Sequence, residues 1–352
     1  MTKQTFKDFA VSSALLALLL GASSSLAQVK GKLSERKGFS GAASRARQST
    51  SKSQGASNPT PAIAGSPTYN YTLLSYPGQP STVAICINKG ATTSKTEIVG
   101  GYGPYADYQA GFLARVSGTK TVTESYQSVT YPHEAGAEQY ATCINDLGQI
   151  TGWYVDTSGV VRGYERSSRG KFTALDVPFT GATGTYPISI NNSGEIVGAW
   201  TDSDGNSHGF TLIAGTYTSF DYPGGTQTEA DDVNSAGDIV GQCYDASGAG
   251  IGFLLSGGTF TPIEYPGAAG TYALGINDSG VIVGDYCPTA ATECPITSEG
   301  LQVFLLSGGV YTTISILPGE VYADAADINN NGVIVGYYED AAGLFGSFMA
   351  TP

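Results

Sequence analysis

Basic residues are missing from the second half of this 352-residue chain. Between positions 172 and 352 there is no Lys or Arg, against 20 Asp and Glu. A nucleic-acid interface needs clustered basic side chains to neutralise phosphates, so this absence excludes nucleic acid as a partner. The acidic surplus, which gives the whole chain a formal net charge of -13, favours solubility and attracts cations.

Histidine is almost absent as well, and this limits the catalytic chemistry that the chain can carry out. A Ser-His-Asp triad would have to use His133 or His208, the only two histidines. Neither is accompanied by a Gly-x-Ser-x-Gly nucleophile elbow or a phosphate-binding loop. We therefore interpret both as surface side chains. A carboxylate pair for glycosidic cleavage stays open, because its separation is a three-dimensional property.

Long apolar runs are absent except at the N-terminus. Residues 10–22 form an apolar stretch behind Lys3 and Lys7 that is too short to cross a bilayer as a mature helix. Together with the small-x-small pattern of residues 25–27, it predicts a signal peptide over residues 1–27, and hence export to the periplasm, cell surface or extracellular space. Residues 28–68 are rich in Ser, Gly, Ala, Lys and Arg, which predicts a disordered basic linker.

One pattern recurs six times in the rest of the chain. It consists of an apolar residue followed by Asn, a turn with Gly, the run Ile-Val-Gly-x-Tyr and, after further turns, Gly-Phe-Leu and Tyr-Pro-Gly. Spacings between 43 and 57 residues, with several short strands in each copy, are typical of β-propeller blades. The anchoring residues of the six copies are Asn88, Asn145, Asn191, Asn234, Asn277 and Asn329.

Each copy supplies four strands, labelled a to d from the inside of the ring to the outside. In the fourth copy they are predicted at residues 230–234, 238–244, 252–255 and 259–265. The sixth copy ends at strand c, whereas residues 69–78 have the pattern of a strand d. The N-terminal segment therefore completes the last blade and removes exposed sheet edges. The prediction is an all-β, monomeric, six-bladed β-propeller over residues 69–352.

The five cysteines lack the C-x-x-C spacing of a structural zinc site. Cys287 and Cys294 bracket one short insertion, so in an exported protein they are a candidate local disulfide. Cys86 and Cys143 hold equivalent positions in neighbouring copies, two residues before the anchoring Asn. They are either a disulfide or two buried thiols, and we favour the thiols because their Cα separation cannot be read from sequence. The pairing of Cys243 stays open.

The repeat resembles the HAF-type probable extracellular repeat, a family found in exported bacterial proteins. The Ile-Asn-Asp-x-Gly-x-Ile-Val-Gly core matches at residues 276–284 and 144–152, and the resemblance covers residues 69–352. The His-Ala-Phe segment behind the family's name appears only as His208-Gly209-Phe210. The resemblance implies a secreted β-repeat protein of largely unassigned activity and supplies no catalytic residues.

Acidic residues collect on the face of the predicted ring that carries the b–c and d–a connections, called here the acidic face. Four of them belong to blades four and six and are predicted to lie near the axis: Asp231, Asp232, Asp324 and Asp327. Our hypothesis is that Asp232 and Asp327 hold a calcium ion at the mouth of the channel, with Gly275 leaving room between them. Asp202 and Asp204 form a second candidate loop, which lacks the final Glu of an EF-hand and is better explained as a turn.

These features favour a secreted or cell-surface binding module for a glycan, a peptide or an envelope protein. Calcium is the one cofactor that the acids indicate. The alternatives are a secreted hydrolase that uses carboxylates, with or without calcium, and a structural component of the envelope. Trp153 and Trp200 fall where other copies have Tyr, so we expect them in the core and not on a sugar-binding platform.

Overall fold

The computed structural model describes residues 62–64, 67–90, 96–103, 110–117, 123–132, 138–288, 301–317, 322–340 and 342–352. They form 25 strands in six sheets, and each sheet contains four antiparallel strands in the order a-b-c-d. The protein is therefore a six-bladed β-propeller, as the repeat predicts. In this described part, no helix is long and apolar enough to cross a membrane.

Blades one to five are each built from consecutive strands. Blade one contains β3 (Ser81–Ile87), β4 (Thr96–Gly103), β5 (Ala110–Ser117) and β6 (Thr123–Val129). Blade two contains β7 (Gln139–Ile144), β8 (Ile150–Val155), β9 (Val161–Arg166) and β10 (Phe172–Leu175).

Blade three contains β11 (Gly184–Ile190), β12 (Ile196–Thr201), β13 (Ser207–Ile213) and β14 (Thr216–Phe220). Blade four contains β15 (Thr226–Val233), β16 (Ile239–Tyr244), β17 (Gly250–Ser256) and β18 (Thr259–Ile263). Blade five contains β19 (Gly270–Ile276), β20 (Ile282–Cys287), β21 (Gln302–Ser307) and β22 (Val310–Ile314).

Blade six is assembled from both ends of the chain. Strands a to c are β23 (Tyr322–Ile328), β24 (Ile334–Glu339) and β25 (Phe345–Thr351), and strand d is β2 (Asn70–Leu74). β2 is antiparallel to β25, with Asn70 opposite Thr351 and Leu74 opposite Ser347. The closing strand predicted from residues 69–78 is thus confirmed, and it gives blade six the same four strands as the other blades.

One strand lies inside the segment predicted to be a disordered linker. β1 (Ala62–Ala64) runs parallel to β22, the outer strand of blade five, with Ala62 opposite Val310. The segment predicted as a linker therefore includes three residues that lie in a strand. The outer edge of a blade leaves backbone groups unpaired, and a short segment of small residues can satisfy some of them. The predicted signal peptide and residues 28–61 lie outside the described residues.

The anchoring asparagines act both within a blade and between blades. In blade three, Asn191 Oδ1 accepts hydrogen bonds from the backbone N–H groups of Ser193 and Glu195, at 3.0 and 3.1 Å, which builds the a–b turn. Its Nδ2 donates to the backbone carbonyl of Asn234 in the next blade, at 3.0 Å. Equivalent bonds between blades start from Asn145, Asn234 and Asn277. These four bonds tie blades two to six into a continuous belt at the a–b end of the ring.

A bulge in each innermost strand brings strands a and b unusually close together. In blade five the register shifts between Ala273 and Gly275. A Cβ on Gly284 of strand b would lie 2.0 Å from the Tyr272 carbonyl oxygen, so only glycine fits there. This is the physical reason for the Gly of the recurring Ile-Val-Gly run.

Aromatic residues fill the blades and their contacts. Strand c carries one fully buried aromatic residue in every blade: Phe112, Tyr164, Phe210, Phe253, Phe304 and Phe348. Trp153 and Trp200 are 1% and 8% exposed, so both belong to the core as predicted. Large exposed apolar side chains occur singly in the described residues, as at Leu73, Leu147 and Ile213.

Candidate functional site at the propeller axis

Six equivalent positions, each two residues before an anchoring Asn, meet at the a–b end of the axis. They are Cys86, Cys143, Ser189, Asp232, Gly275 and Asp327, and all are buried. They contact their neighbours around the ring, so the axis is closed at this end. We call this set the axial ring.

Polar contacts join the axial ring from blade to blade. Ser189 Oγ donates to Asp232 Oδ1 at 2.6 Å, and Asp232 Oδ2 accepts from the backbone N–H of Ile276 at 2.7 Å. Across the seam between blades six and one, Asp327 Oδ2 accepts from the backbone N–H of Ile87 at 3.0 Å. A Cβ on Gly275 would lie 2.9 Å from the Asp327 Cα. Gly275 therefore allows close packing and leaves no open space, contrary to our expectation.

Lys89 occupies the place in which the sequence predicted a calcium ion. Its ammonium group is 2.7 Å from Asp232 Oδ2 and 2.5 Å from Asp327 Oδ1, and it also donates to the Ile328 carbonyl oxygen at 3.3 Å. Burial by itself would lower the pKa of Lys89, but the charges of Asp232 and Asp327 outweigh it and raise the pKa. The lysine is therefore charged, and it is the cation that the two carboxylates hold in this structure.

The charge at this end of the axis is not fully balanced. Burial raises the pKa of Asp327 to about 7, while the charge of Lys89 opposes that shift. One ammonium group can neutralise only one of the two carboxylates, and the backbone N–H groups of Ile87, Ile276 and Ile328 also donate hydrogen bonds to them. Asp232 and Asp327 also lie beside the a–b turns, since Asp232 pairs with Val240 just before the turn of blade four. Their expected position on the acidic face is therefore wrong, and calcium binding there stays a prediction.

Cys86 and Cys143 are joined by a disulfide, with their Cα atoms 4.9 Å apart. The expectation of two buried thiols is therefore wrong. The two innermost strands converge at the axis, and equivalent positions of neighbouring blades come within bonding distance there. Cys243 is a buried free thiol. Cys287 is buried, and its predicted partner Cys294 lies outside the described residues.

Further along the axis, blade four carries a second acidic group on its two inner strands. Glu229 and Asp231 of β15 and Gln242 of β16 are 0%, 7% and 1% exposed. Glu229 lies directly opposite Gln242 in the strand register, and Asp231 occupies the bulge that follows Ala230. Burial raises the pKa of Glu229 to about 8. Burial and then the charge of Glu229 also raise the pKa of Asp231.

Asp324 belongs to a third group, at the contact between blades five and six. Tyr337 donates its hydroxyl hydrogen to Asp324 Oδ2 at 2.6 Å, and the neighbouring carboxyl is Asp285 of β20. Burial and then the charge of Asp324 raise the pKa of Asp285 well above its ordinary value. The four acids predicted to gather near the axis are thus divided. Asp232 and Asp327 meet at Lys89, while Asp231 and Asp324 lie in separate groups.

The Asp202–Asp204 loop has the geometry of a turn. Asp202 Oδ1 accepts from the backbone N–H groups of Asp204 and Asn206, both at 2.8 Å, and Oδ2 accepts from Asn206 Nδ2. These bonds outweigh the effect of burial and lower the pKa of Asp202 to about 2. The same turn recurs at Asp156, Asp245 and Asp340. Because the same arrangement occurs in several blades, its role is to build the b–c turn of the blade.

His208 lies on the acidic face next to this turn. Its Nδ1 is 2.8 Å from Asp221 Oδ1, its Nε2 is 3.4 Å from Asp202 Oδ2, and its ring stacks on Trp200. No serine hydroxyl in the described residues makes a hydrogen bond with this histidine. In the part of the chain that the structure describes, the polar neighbours of His208 are thus two acidic side chains. His133, the other candidate base, lies outside the described residues.

Sequence reasoning missed Lys89 and Asp285, and it counted Glu229 only among the acids of the acidic face. Lys89 follows its anchoring Asn where other copies have Asp, Asn or Ser, and that irregularity was a usable signal. Glu229 and Asp285 replace residues that are mostly aromatic or small at the same register positions. They are visible only after the strands have been aligned in space.

The fold and the axis define the class of protein: a closed six-bladed β-propeller whose axis is blocked at one end. No family model and no curated protein sequence matches the chain. A solved fungal lectin from Aleuria aurantia, described as a six-bladed β-propeller with a novel fucose recognition mode, is 12% identical over 77% of this chain and 91% of its own, with a TM-score of 0.50. TolB from Acinetobacter baumannii is 15% identical over 78% of this chain and 65% of its own, with a TM-score of 0.49. A streptogramin B lyase is 13% identical over 80% of this chain and 98% of its own, with a TM-score of 0.45. At these identities the likeness shows the fold alone.

Proposed function

We propose that this chain is an exported β-propeller that acts as a binding module and takes its ligand on the acidic face. The observation that carries the proposal is the closed axis. The disulfide, Ser189 and the Lys89–Asp232–Asp327 group leave no opening at the a–b end, so a ligand of the ring's concave centre has to approach from the opposite side. Propeller ligands commonly use loops on a rigid scaffold.

Export is part of this proposal and is supported by the apolar N-terminus, the Ser25-Leu26-Ala27 cleavage pattern and the disulfide. N-terminal sequencing of the protein recovered from the periplasm or medium of a bacterial host should begin at Gln28. Protein that stays in the cytoplasm with its N-terminus intact would contradict export. It would leave the binding proposal to its own test.

A glycan is the first ligand class to test, with peptides and envelope proteins beside it. The fold is shared with a fungal lectin, and the described part of the acidic face offers two carboxylates and a histidine, at Asp202, Asp221 and His208, whose ring stacks on the buried Trp200. Polar side chains beside an aromatic ring suit hydroxyl-rich ligands. No observation on the described residues favours a hydrolase over this module.

The test is a glycan array and an envelope-fraction capture with the chain from Gln28 to Pro352. Two variants of the acidic face, His208→Ala and Asp221→Asn, should weaken capture of any ligand that is found. The matched variant of the opposite face is Leu147→Ser, at a side chain that is 59% exposed in the a–b turn of blade two. Capture that is lost with Leu147→Ser and unchanged in the other two variants would refute the assignment of the face. Absence of any ligand would favour the structural-envelope alternative.

A further inference from the structure

The interior of blade four contains polar atoms that the protein leaves without partners. Glu229 Oε2, both carboxylate oxygens of Asp231 and both polar atoms of the Gln242 amide make no hydrogen bond within the described residues. The remaining oxygen, Glu229 Oε1, is 3.5 Å from Ser207 Oγ, at the limit of a hydrogen bond. Buried polar groups are normally paired, because each unpaired group loses its hydration without compensation.

These side chains share one small region. Glu229 faces Gln242 across the register of β15 and β16, and burial and then the charge of Glu229 raise the pKa of Asp231. Four oxygens that make no hydrogen bond within the described residues therefore belong to this pair of adjacent strands: one from Glu229, two from Asp231 and one from Gln242. All three side chains are at least nine-tenths buried.

Among the described residues, no basic side chain is paired with them. The chain has no Lys or Arg after Lys171, and Lys89 is engaged at Asp232 and Asp327. Arg162, Arg166 and Arg169 belong to blade two, and Arg162 is paired with Asp156. Asp232 and Asp327 thus have a lysine from within the chain, and Glu229 and Asp231 have no equivalent among the described residues.

The group is specific to blade four and is not part of the repeat. The positions equivalent to Glu229 in the flanking blades are Tyr186 and Tyr272. β15 has a second register shift, between Thr226 and Glu229, where the described innermost strands of the other five blades have one shift each. Gln227 at this second shift has a φ of 54°, a conformation that costs energy for a residue other than glycine. Extra bulges commonly redirect side chains near sites.

We propose that Glu229, Asp231 and Gln242 form a binding site for one hard divalent cation of the calcium class. Carboxylate and amide oxygens are the ligands that calcium prefers, and it accepts them in flexible geometry with water completing the shell. The bound ion would supply the positive charge that the second half of the chain lacks. It would also give every one of the four oxygens a partner. The site is separate from the Asp232–Asp327 pair, and it does not depend on the ligand of the acidic face.

The alternative occupant is the proton. Burial raises the pKa of Glu229 to about 8, so without an ion this acid is neutral under mildly acidic conditions. A cation then has to displace protons, because carboxylate ligands bind metals in their ionised form. Calcium should therefore bind more tightly at about pH 9 than at about pH 6, with proton release measurable from the buffer dependence of the heat.

The experiment is calorimetric titration of the chain from Gln28 to Pro352, treated with a chelator, with calcium chloride at both pH values. Magnesium chloride and sodium chloride at equal ionic strength are the salt controls. We expect one calcium per chain and a rise of Tm with calcium, since a ligand of the folded state stabilises it. The variants Asp231→Asn and Glu229→Gln should lose the binding heat. Asp204→Asn, an exposed acid of the same charge, should keep it.

A second measurement keeps the proposal testable if a variant fails to fold. Terbium, which takes the same oxygen ligands as calcium, gives emission that is sensitised by a nearby tyrosine, and Tyr186 senses the charge of Glu229. Excitation of tyrosine in the unmodified chain should give terbium emission that calcium displaces, and Tyr186→Phe should weaken it. Absence of both calcium heat and terbium emission at about pH 9 would overturn the proposal. Heat that persists in folded Asp231→Asn and Glu229→Gln chains would do so as well. A failure here would leave the proposed ligand-binding function untouched.

Discussion

Two groups of buried acids lie along the same axis, and they are neutralised in different ways. At the a–b end, Asp232 and Asp327 are bridged by Lys89, and backbone N–H groups of the next blade complete their hydrogen bonds. In blade four, Glu229 and Asp231 have neither a basic partner nor a full set of donors. The protein itself supplies the partners of the first group. The second group needs protons or an ion from solution to neutralise its carboxylates.

The difference shows what a buried carboxylate means in a propeller. Where strands from several blades converge, a buried ion pair whose atoms all have hydrogen-bond partners links the blades and has a structural role. Removing its charges from water costs desolvation energy. Where the same residue types stay unsatisfied, the protein carries an energetic penalty that a ligand can remove. Whether the buried acids have a compensating charge therefore distinguishes the structural group from the candidate binding site more clearly than the acidic residues themselves do.

The largest expected effect is the loss of the lysine from the first group. Lys89→Met would leave Asp232 and Asp327 buried side by side without a counter-charge, and breaking a buried pair in this way costs about 3–5 kcal/mol. Urea unfolding of the two chains measures the change in free energy. The control is Arg162→Met, which removes a surface pair to Asp156 whose arginine side chain is 38% exposed, and such pairs contribute about 0–1 kcal/mol. If both changes lower the free energy of unfolding equally, the buried group of Lys89, Asp232 and Asp327 contributes no more to stability than a surface ion pair.

The next effect concerns the asparagine belt beside the axial ring. Asn277→Ala removes two bonds of the a–b turn and the bond to the Asn329 carbonyl, and at about 0.5–1.5 kcal/mol for each bond we expect a loss of about 2–4 kcal/mol. Asn329 has the same turn bonds, but its Nδ2 has no partner in the described part of the chain. Asn329→Ala should therefore cost about 1 kcal/mol less. If the two variants lose the same free energy of unfolding in urea, the bond between blades does not contribute measurably to stability.

A smaller, pH-dependent effect is expected for the two buried acids at the contact between blades five and six. Burial beside Asp324 raises the pKa of Asp285, so the folded chain keeps a proton that the unfolded chain has already released. The free energy of unfolding therefore falls as pH rises above the ordinary range of a carboxyl group, by up to about 1.4 kcal/mol per pH unit for one proton. Asp285→Asn should reduce this slope in urea unfolding between about pH 5 and pH 8, while Glu229 and Asp327, whose pKa values are also raised, continue to contribute to it.

Asp245→Asn is the matched control for that slope. Hydrogen bonds from Ser247 and Ala249 lower the pKa of Asp245, so its contribution is present above the ordinary carboxyl range and is lost only as pH falls below it. The slope above that range should be the same in this variant and in the unmodified chain. A slope that is unchanged in Asp285→Asn would show that Asp285 does not bind the proton.

The smallest effect is expected in the loop once considered for calcium. Asp204→Asn changes an exposed side chain, and substitutions of this kind usually stay within about 0.5 kcal/mol. Thermal unfolding with and without calcium should give the same calcium-dependent shift as the unmodified chain. A shift lost in this variant would place the ion in the Asp202–Asp204 loop and contradict the assignment to blade four.

The recurring motif was enough to predict the blades, because each of its residues does a local job that the others cannot do. The Gly of Ile-Val-Gly permits the bulge, the anchoring Asn builds the turn, and strand d can come from either end of the chain. The β1 pairing was not predictable, since Ala62–Ala64 has no strand pattern and joins a sheet only because an edge is there. The disulfide could not be predicted for a similar reason, because the Cα distance between Cys86 and Cys143 is a property of the closed ring.

For the axis, the sequence by itself determined which residues are irregular, and the tertiary structure decided which of them meet. Asp232 and Asp327 were visible as acids at a position that is small or neutral in other copies. Lys89 comes from blade one, 143 residues before Asp232 and 238 before Asp327, and only ring closure brings it between them. Charge compensation depends on distances of a few ångströms between distant segments. Periodicity along a chain contains no information about those distances.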